Sequence, residues 1–250
     1  MDRQKAEQAF KNYSENYDTS DIKITLKINH TYRVAAIADR IAGSLGADPD
    51  FAWFTGLLHD IGRFEQLTRY GTFKDARSID HAELGADILF KGDDPLIKTF
   101  PDDLKIPKWS EIAETAIRLH NKLTLPEDMD EHTRLYSTIL RDADKCDIFR
   151  VLTEPPYDER NKRAIESLFP ARDEVMICIK EHRCVPRNFE RTEFEALLSQ
   201  CCMAFELEYP ESRKVVSEQG YLEKLLNVDI SGEAGKQIKM LRSELNGIIK

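Results

Sequence analysis

Six histidines are spread along the chain, and four of them, His30, His59, His81 and His120, recur in one kind of setting. Each stands on a stretch with helical apolar spacing rather than in a polar loop. Asp60 follows His59 directly, at the end of the apolar run FTGLL. A buried carboxylate is costly unless it is paired or bound to metal. Neutral imidazole together with carboxylate is a donor set that divalent transition metals accept. One such histidine is more readily a satisfied core residue; four, with an acid beside one of them, point to a shared ion. Neighbouring side chains on a helix diverge by about 100°, so His59 and Asp60 reach one ion only at a helix end, from its two sides. The spacing puts them at such an end.

A second carboxylate comes from the distant segment RDADKCD. Asp144 falls five residues after Ile139 and four after Leu140, near the inward face of its helix. Position alone does not choose among Asp142, Asp144 and Asp147; Asp142 and Asp147 read as members of a solvated face. His132, at the polar start of a helix, and His182, among charged neighbours, read as surface residues. Trp53, Phe54 and Trp109 read as core packing.

The elements that must position these residues are helical. Val34, Ile37, Ile41 and Leu45 continue one face from His30, predicting a helix from Ile28 to Leu45 with Gly46 as its stop. Asp48-Pro49 opens the next, a buried central helix through Phe51, Phe54, Leu57, Leu58 and Ile61 that carries His59 and Asp60 at its far end before Gly62. Residues 63–77 show no clear period and read as a loop. Ser78 is expected to cap a helix bearing His81, Leu84, Gly85, Ile88 and Leu89, and Ser110 one running through Ile112, Ala116 and Leu119 to His120. A long helix is expected from Glu131 to Val151. Residues 2–17 read as a polar helix or arm. Pro155-Pro156 marks a change of section, with a boundary near 155–165. Beyond it, amphipathic stretches at 170–183, 192–208, 211–226 and 232–249 read as further helices. No alternating strand pattern occurs, so the fold class is all-α.

The whole chain sets outer limits. With 250 residues it can bury one large core or a domain with an appended lobe. Its 11 glycines and 10 prolines provide few turns, which favours long helices. A net charge of −9 argues against nucleic acid or an anionic membrane as partner, though a metal ion and a few local cations can reverse the field inside a cleft. The opening residues have no apolar core of a secretory signal, and no apolar run approaches a bilayer span. The five cysteines form no CxxC pair and read as reduced core thiols, so a cytoplasmic protein is expected.

His30, then His59-Asp60 in LLHDIGR, then Asp144 in RDADKCD, resembles the H…HD…D signature of the HD superfamily of metal-dependent phosphohydrolases, over about residues 20–155. The resemblance implies an HD-domain helical bundle over residues 1–160, with an N-terminal arm at about 1–20. Residues 161–250 would then be a C-terminal helical extension packed on it. It also implies that His30, His59, Asp60 and Asp144 are metal ligands. HAELGA (81–86) and AIRLHNK (116–122) resemble the extra histidine motifs of two-metal branches, including the bacterial symmetrical dinucleoside tetraphosphate hydrolases and the HD-GYP phosphodiesterases. On that pattern Asp60 bridges to a second ion held by His81 and His120. One or two divalent ions are thus implied, with Mn, Fe, Mg, Co, Ni and Zn not distinguished. HD-GYP enzymes read HDIGK, whereas this chain has Arg63 in that place and no GYP element, which argues against cyclic di-GMP as substrate.

The implied reaction is hydrolysis of a phosphomonoester or phosphodiester by a metal-activated water, with a nucleotide as the expected substrate. Asp60, Arg63 and Lys145 are the residues expected to serve catalysis, and Arg63, Arg77, Lys122 and Lys145 those expected to contact phosphate. A competing reading comes from HD-fold inositol and phosphonate oxygenases, which hold a di-iron site with the same ligand pattern. The C-terminal helices either cover the cleft or mediate a homodimer; nothing in them chooses.

Overall fold

The computed structural model describes residues 1–157, 169–186, 190–228 and 231–249; among them every regular element is helical and no strand occurs. Two compact units result, Met1–Asp144 and Lys145–Lys250. The boundary expected at 155–165 overlaps residues 158–168, which lie outside the described residues. No helix searched is long and apolar enough to cross a membrane.

The first unit is built on a pair of helices, α2 (Ile22–Ser44) and α3 (Pro49–Leu58). α2 begins two turns earlier than the periodicity predicts, because Asp21 caps it, accepting from Lys23 N at 2.8 Å. Asp48 caps α3 as expected, accepting from Phe51 N at 3.1 Å. The pair packs backbone against backbone at Gly56, where a Cβ would fall 2.6 Å from Ala35 Cα. Phe51, Phe54, Leu57, Leu58, Val34 and Ile41 are wholly buried around it.

Residues 63–77 are not a loop throughout. Ile61–Tyr70 form α4, closed by Gly71 in the left-handed region at φ 65°. Ile61, Phe64 and Leu67 recur on its buried face, a period hidden because Ile61 also continues the spacing of α3. α5 (His81–Phe90) is capped by Asp80, whose Oδ1 accepts from Ala82 N at 3.0 Å, and not by Ser78. Ser78 instead bonds Lys74 O and Gln66 Nε2. α4 and α5 touch at a pair of glycines. A Cβ on Gly62 would lie 2.2 Å from the His81 carbonyl oxygen and 2.6 Å from Gly85 N. α6 (Pro107–Leu119) starts at Pro107 rather than Ser110; proline at the first helical position supplies the signal. α7 (Glu131–Val151) has the bounds predicted, and the border between the two units falls within it. α1 (Arg3–Ser14) is more than a polar arm, for Ala6, Ala9 and Phe10 are buried, and Phe10 sets its edge against Tyr32 and Phe64.

In the second unit the stretches expected at 170–183, 192–208, 211–226 and 232–249 appear in shorter pieces. These are α8 (Asp173–Lys180), α9 (Glu193–Cys201) with a 3-10 turn over Cys202–Glu206, α10 (Pro210–Gln219), α11 (Tyr221–Leu226), α12 (Gly232–Glu244) and α13 (Asn246–Ile249). Gly220, at φ 67°, splits α10 from α11. Thr192 and Glu195 form a capping box, and buried Glu195 also takes Arg172 Nε at 2.7 Å.

Candidate metal centre

His59 and Asp60 occupy the turn between α3 and α4. His59 ends α3, and Asp60 takes the cap position of α4 without using its side chain as a cap. The carboxylate is thereby left to turn inward, and it is nearly inaccessible. Its two oxygens face different groups. Oδ2 lies 3.6 Å from His30 Nε2 and 3.4 Å from His59 Nε2, while Oδ1 lies 3.5 Å from His81 Nε2 and 3.9 Å from His120 Nε2. Asp144 joins the first side, with Oδ1 at 3.1 Å from His30 Nε2 and 3.8 Å from His59 Nε2. All six expected ligands therefore converge, and Asp144 is the member of the RDADKCD run that does so. His30, His59 and Asp144 offer ligand atoms within 4.8 Å of one another, as do His59, Asp60 and His120. Asp142 and Asp147, expected on a solvated face, are both buried.

The outer ring nitrogens settle how the imidazoles are oriented. His59 Nδ1 lies 2.7 Å from Gly56 O, and His120 Nδ1 lies 2.7 Å from Ile117 O, in each case the carbonyl three residues back. His81 Nδ1 lies 2.8 Å from Asp75 Oδ2. Each partner only accepts, so Nδ1 carries the proton and Nε2 presents a lone pair to the interior. The Nε2 atoms of His81 and His120 stand 2.9 Å apart, and among the described residues the buried Nε2 of His59 has no hydrogen-bond partner. Two lone pairs so close repel unless a cation lies beside them. A second proton on either ring is disfavoured. Burial, and then the charge of Arg63, lowers the pKa of His81, and burial with the neighbouring His81 and His59 takes that of His120 down to about 3. A divalent ion suits this donor set, and the groups present could hold one.

The carboxylates stay ionised. Burial alone would raise Asp60, but the Lys27 ammonium, His59 and Arg63 together hold it well below the usual range. Asp144 is likewise held low against burial by its contact with His30 and by His59. Asp75 is also lowered, by His81 and Arg63 and by the amide of Gln66.

Two members of the cluster carried no clear sequence signal. Lys27 is buried and donates to Asp60 Oδ2 at 2.7 Å; it stands one helical turn before His30, a position the shorter expected helix excludes. Asp75 sits on a short 3-10 turn in the stretch read as a loop. It orients His81 and also accepts from Arg63 Nη1 at 3.0 Å and Gln66 Nε2 at 2.9 Å. Asp75, Asp80 and His81 also cluster. Asp80 is taken up by Asn121, Lys122 and the start of α5, and Asp75 by His81, so this group reads as the outer support of His81.

The expected cations lie in varied places. Arg63 has Nε 3.5 Å from Asp60 Oδ1 and gives Nη1 to Phe73 O at 2.7 Å, to Gln66 and to Asp75. Lys122 pairs with Asp80 at 2.5 Å. Arg77 is exposed on a surface turn. Lys145, in the second unit, pairs with Glu206 at 3.1 Å. His132 and His182 are exposed, and Trp53 and Phe54 are buried.

Helical architecture and an H…HD…H…H…D cluster define a helical domain whose side chains could hold a metal ion. Residues 28–148 match the family model of the HD domain, a span that contains all six converging ligands. This part of the chain matches the HD domain, a family made up generally of metal-dependent hydrolases. No curated protein and no solved structure matches the chain.

Proposed function

We propose that the chain is a metal-dependent phosphohydrolase acting on a phosphomonoester or phosphodiester in a small substrate, of the nucleotide class. The observation that carries this reading is the approach of imidazole lone pairs to both oxygens of one buried carboxylate, with Lys27 and Arg63 beside it. His30, His59 and Asp144 would hold one divalent ion with Asp60 Oδ2, and His81 and His120 a second with Asp60 Oδ1. Bound there, such ions supply an acidified water and Lewis-acid stabilisation of phosphoryl charge.

The protein's own groups do the rest. Asp75 and the Gly56 and Ile117 carbonyls keep three imidazoles in the tautomer that offers Nε2 inward. Arg63 fixes Asp75 and adds positive charge beside Asp60. Arg77 and Lys122 are proposed as further phosphate contacts. The cysteines are poor nucleophiles: all five are buried, and burial pushes the Cys201 thiol up to about 12. Free buried thiols also support a cytoplasmic setting.

The test is metal analysis on protein purified without chelator or added metal, followed by a nucleotide phosphatase panel in anaerobic Mn²⁺. Two ions per chain and phosphate release are expected, both lost in Asp60→Ala. Iron content with substrate-dependent oxygen uptake, and no phosphate release, would replace the hydrolase with an oxygenase.

A further inference from the structure

Lys27 combines burial with an incomplete set of partners. Its ammonium donates to Asp60 Oδ2 at 2.7 Å, and among the described residues Asp60 is its one hydrogen-bond acceptor. The side chain is only 8% exposed, and the Phe73 ring lies 5.7 Å from Nζ. An ammonium has three donors. Asp60 takes one of them, so the ammonium can serve a second acceptor without losing its stem's packing. The oxygen it holds is the one that faces His30 and His59.

We propose that Lys27 is an exchangeable cation of the centre: it holds Asp60 Oδ2 in the metal-free protein and turns to an anionic oxygen of the substrate once Asp60 is engaged by a divalent ion. The proposal rests on the reading that Asp60 is a ligand in a phosphohydrolase. An ammonium at 2.7 Å and a dication compete for the same carboxylate oxygen, and their charges repel strongly in a buried site. Displaced from Asp60, Lys27 has a flexible four-carbon stem and rotatable donors with which to find another anion. Arg63 is built differently, since its Nη1 is held by three acceptors. Of the two cations on Asp60, Lys27 is the one free to change partner.

The test uses two neutral variants, Lys27→Gln and Lys27→Met, and the charged variant Lys27→Arg, in the full chain. Mn²⁺ binding to the metal-free proteins and inorganic phosphate binding to the Mn²⁺-loaded proteins are both titrated. The neutral variants should bind Mn²⁺ about tenfold more tightly, because a competitor for Asp60 is gone. They should bind phosphate at least about tenfold more weakly, the scale of a lost charge-assisted hydrogen bond. Lys27→Arg should recover most of the phosphate affinity.

A purely structural role for Lys27 would move the first number the other way, with Mn²⁺ bound more weakly in every variant. That result overturns the proposal, as does unchanged Mn²⁺ or phosphate binding in the neutral variants. Should the neutral metal-free proteins unfold, they are purified with Mn²⁺ and the phosphate titration alone decides. Wild-type protein that takes up Mn²⁺ but no phosphate counts against the hydrolase reading. Variants that match a phosphate-binding wild type count against Lys27 alone.

Discussion

Asp75→Asn tests the two-sided centre at one atom. Asp75 Oδ2 accepts from His81 Nδ1 at 2.8 Å, and Oδ1 accepts from Arg63 and Gln66. Asparagine keeps the shape and removes the charge, and it has two ways to sit. With its oxygen toward His81, its amide NH₂ meets the donors of Arg63 and Gln66. With its nitrogen toward His81, it drives the ring proton to Nε2, onto the lone pair that faces His120 and Asp60. Either arrangement degrades the His81 donor.

Partners that orient a ligand in this way typically contribute 10- to 100-fold in metal affinity, or about 1.4–2.7 kcal/mol. The loss should be confined to one side, because His59 is oriented by the Gly56 carbonyl, 2.7 Å away, and not by Asp75. The assay is Mn²⁺ titration followed by the electron paramagnetic resonance of free ion. Wild type is expected to show two binding steps, with the variant shifting one step and leaving the other in place. Equal weakening of both steps, or of neither, would refute the assignment of Asp75 to His81 alone. A wild type that saturates at one ion per chain would refute the two-sided reading outright.

Further outcomes follow from the same geometry. His120 has its folded pKa lowered to about 3 against about 6.5 when unfolded. Between these values the unfolded chain therefore holds more protons. Metal-free stability should fall as pH drops below about 6.5, by up to roughly 1.4 kcal/mol per unit for this group; urea titrations at pH 7 and 5 measure it, and a slope unaltered in His120→Ala would count against the cause given. Because the folded His120 ring takes a second proton only near pH 3, proton competition at this ring should not release Mn²⁺ between pH 7 and 5, which dialysis at the two pH values followed by metal analysis reads directly. Gly62→Ala, whose Cβ would meet the His81 carbonyl oxygen at 2.2 Å, should cost about 1–3 kcal/mol and weaken metal binding by forcing α4 from α5. Gly43→Ala, in an open stretch of α2 with nothing within 4 Å, should instead stabilise by about 0.5–1 kcal/mol, and thermal melts of the two variants should move in opposite directions.

Much of the first unit could be read from spacing because its helices carry their apolar residues in regular register and its caps are strong. Asp48-Pro49 and the Glu131–Val151 helix are clear cases. Shared helical settings group His30, His59, His81 and His120, whereas only the family resemblance singles out Asp144 from Asp142 and Asp147. What escaped had two physical causes. Overlapping periods concealed α4, since Ile61 serves the spacing on both sides of the His59-Asp60 turn. Polar residues acting through one long-range contact leave no period at all, as with Asp75 on a three-residue turn and Lys27 one turn before the expected start of its helical face. The assignment of Asp142 to solvent failed for the related reason that a charge run is read as a surface unless something shows what faces it.

The turn that hid α4 is also what gives Asp60 two usable oxygens. A continuous helix through residues 59–61 would point His59 and Asp60 about 100° apart. Breaking it places Asp60 at the cap of α4, with φ −104° and ψ 17° and a side chain that makes no capping bond. The α4 amides thereby lose the carboxylate that usually serves them, while Oδ2 is left to His30 and His59 and Oδ1 to His81 and His120. Gly62, two residues on, permits the approach to α5 that brings His81 within reach. In HDIG the aspartate and the glycine therefore act together, one as the shared carboxylate and the other as the gap through which the second pair of histidines arrives.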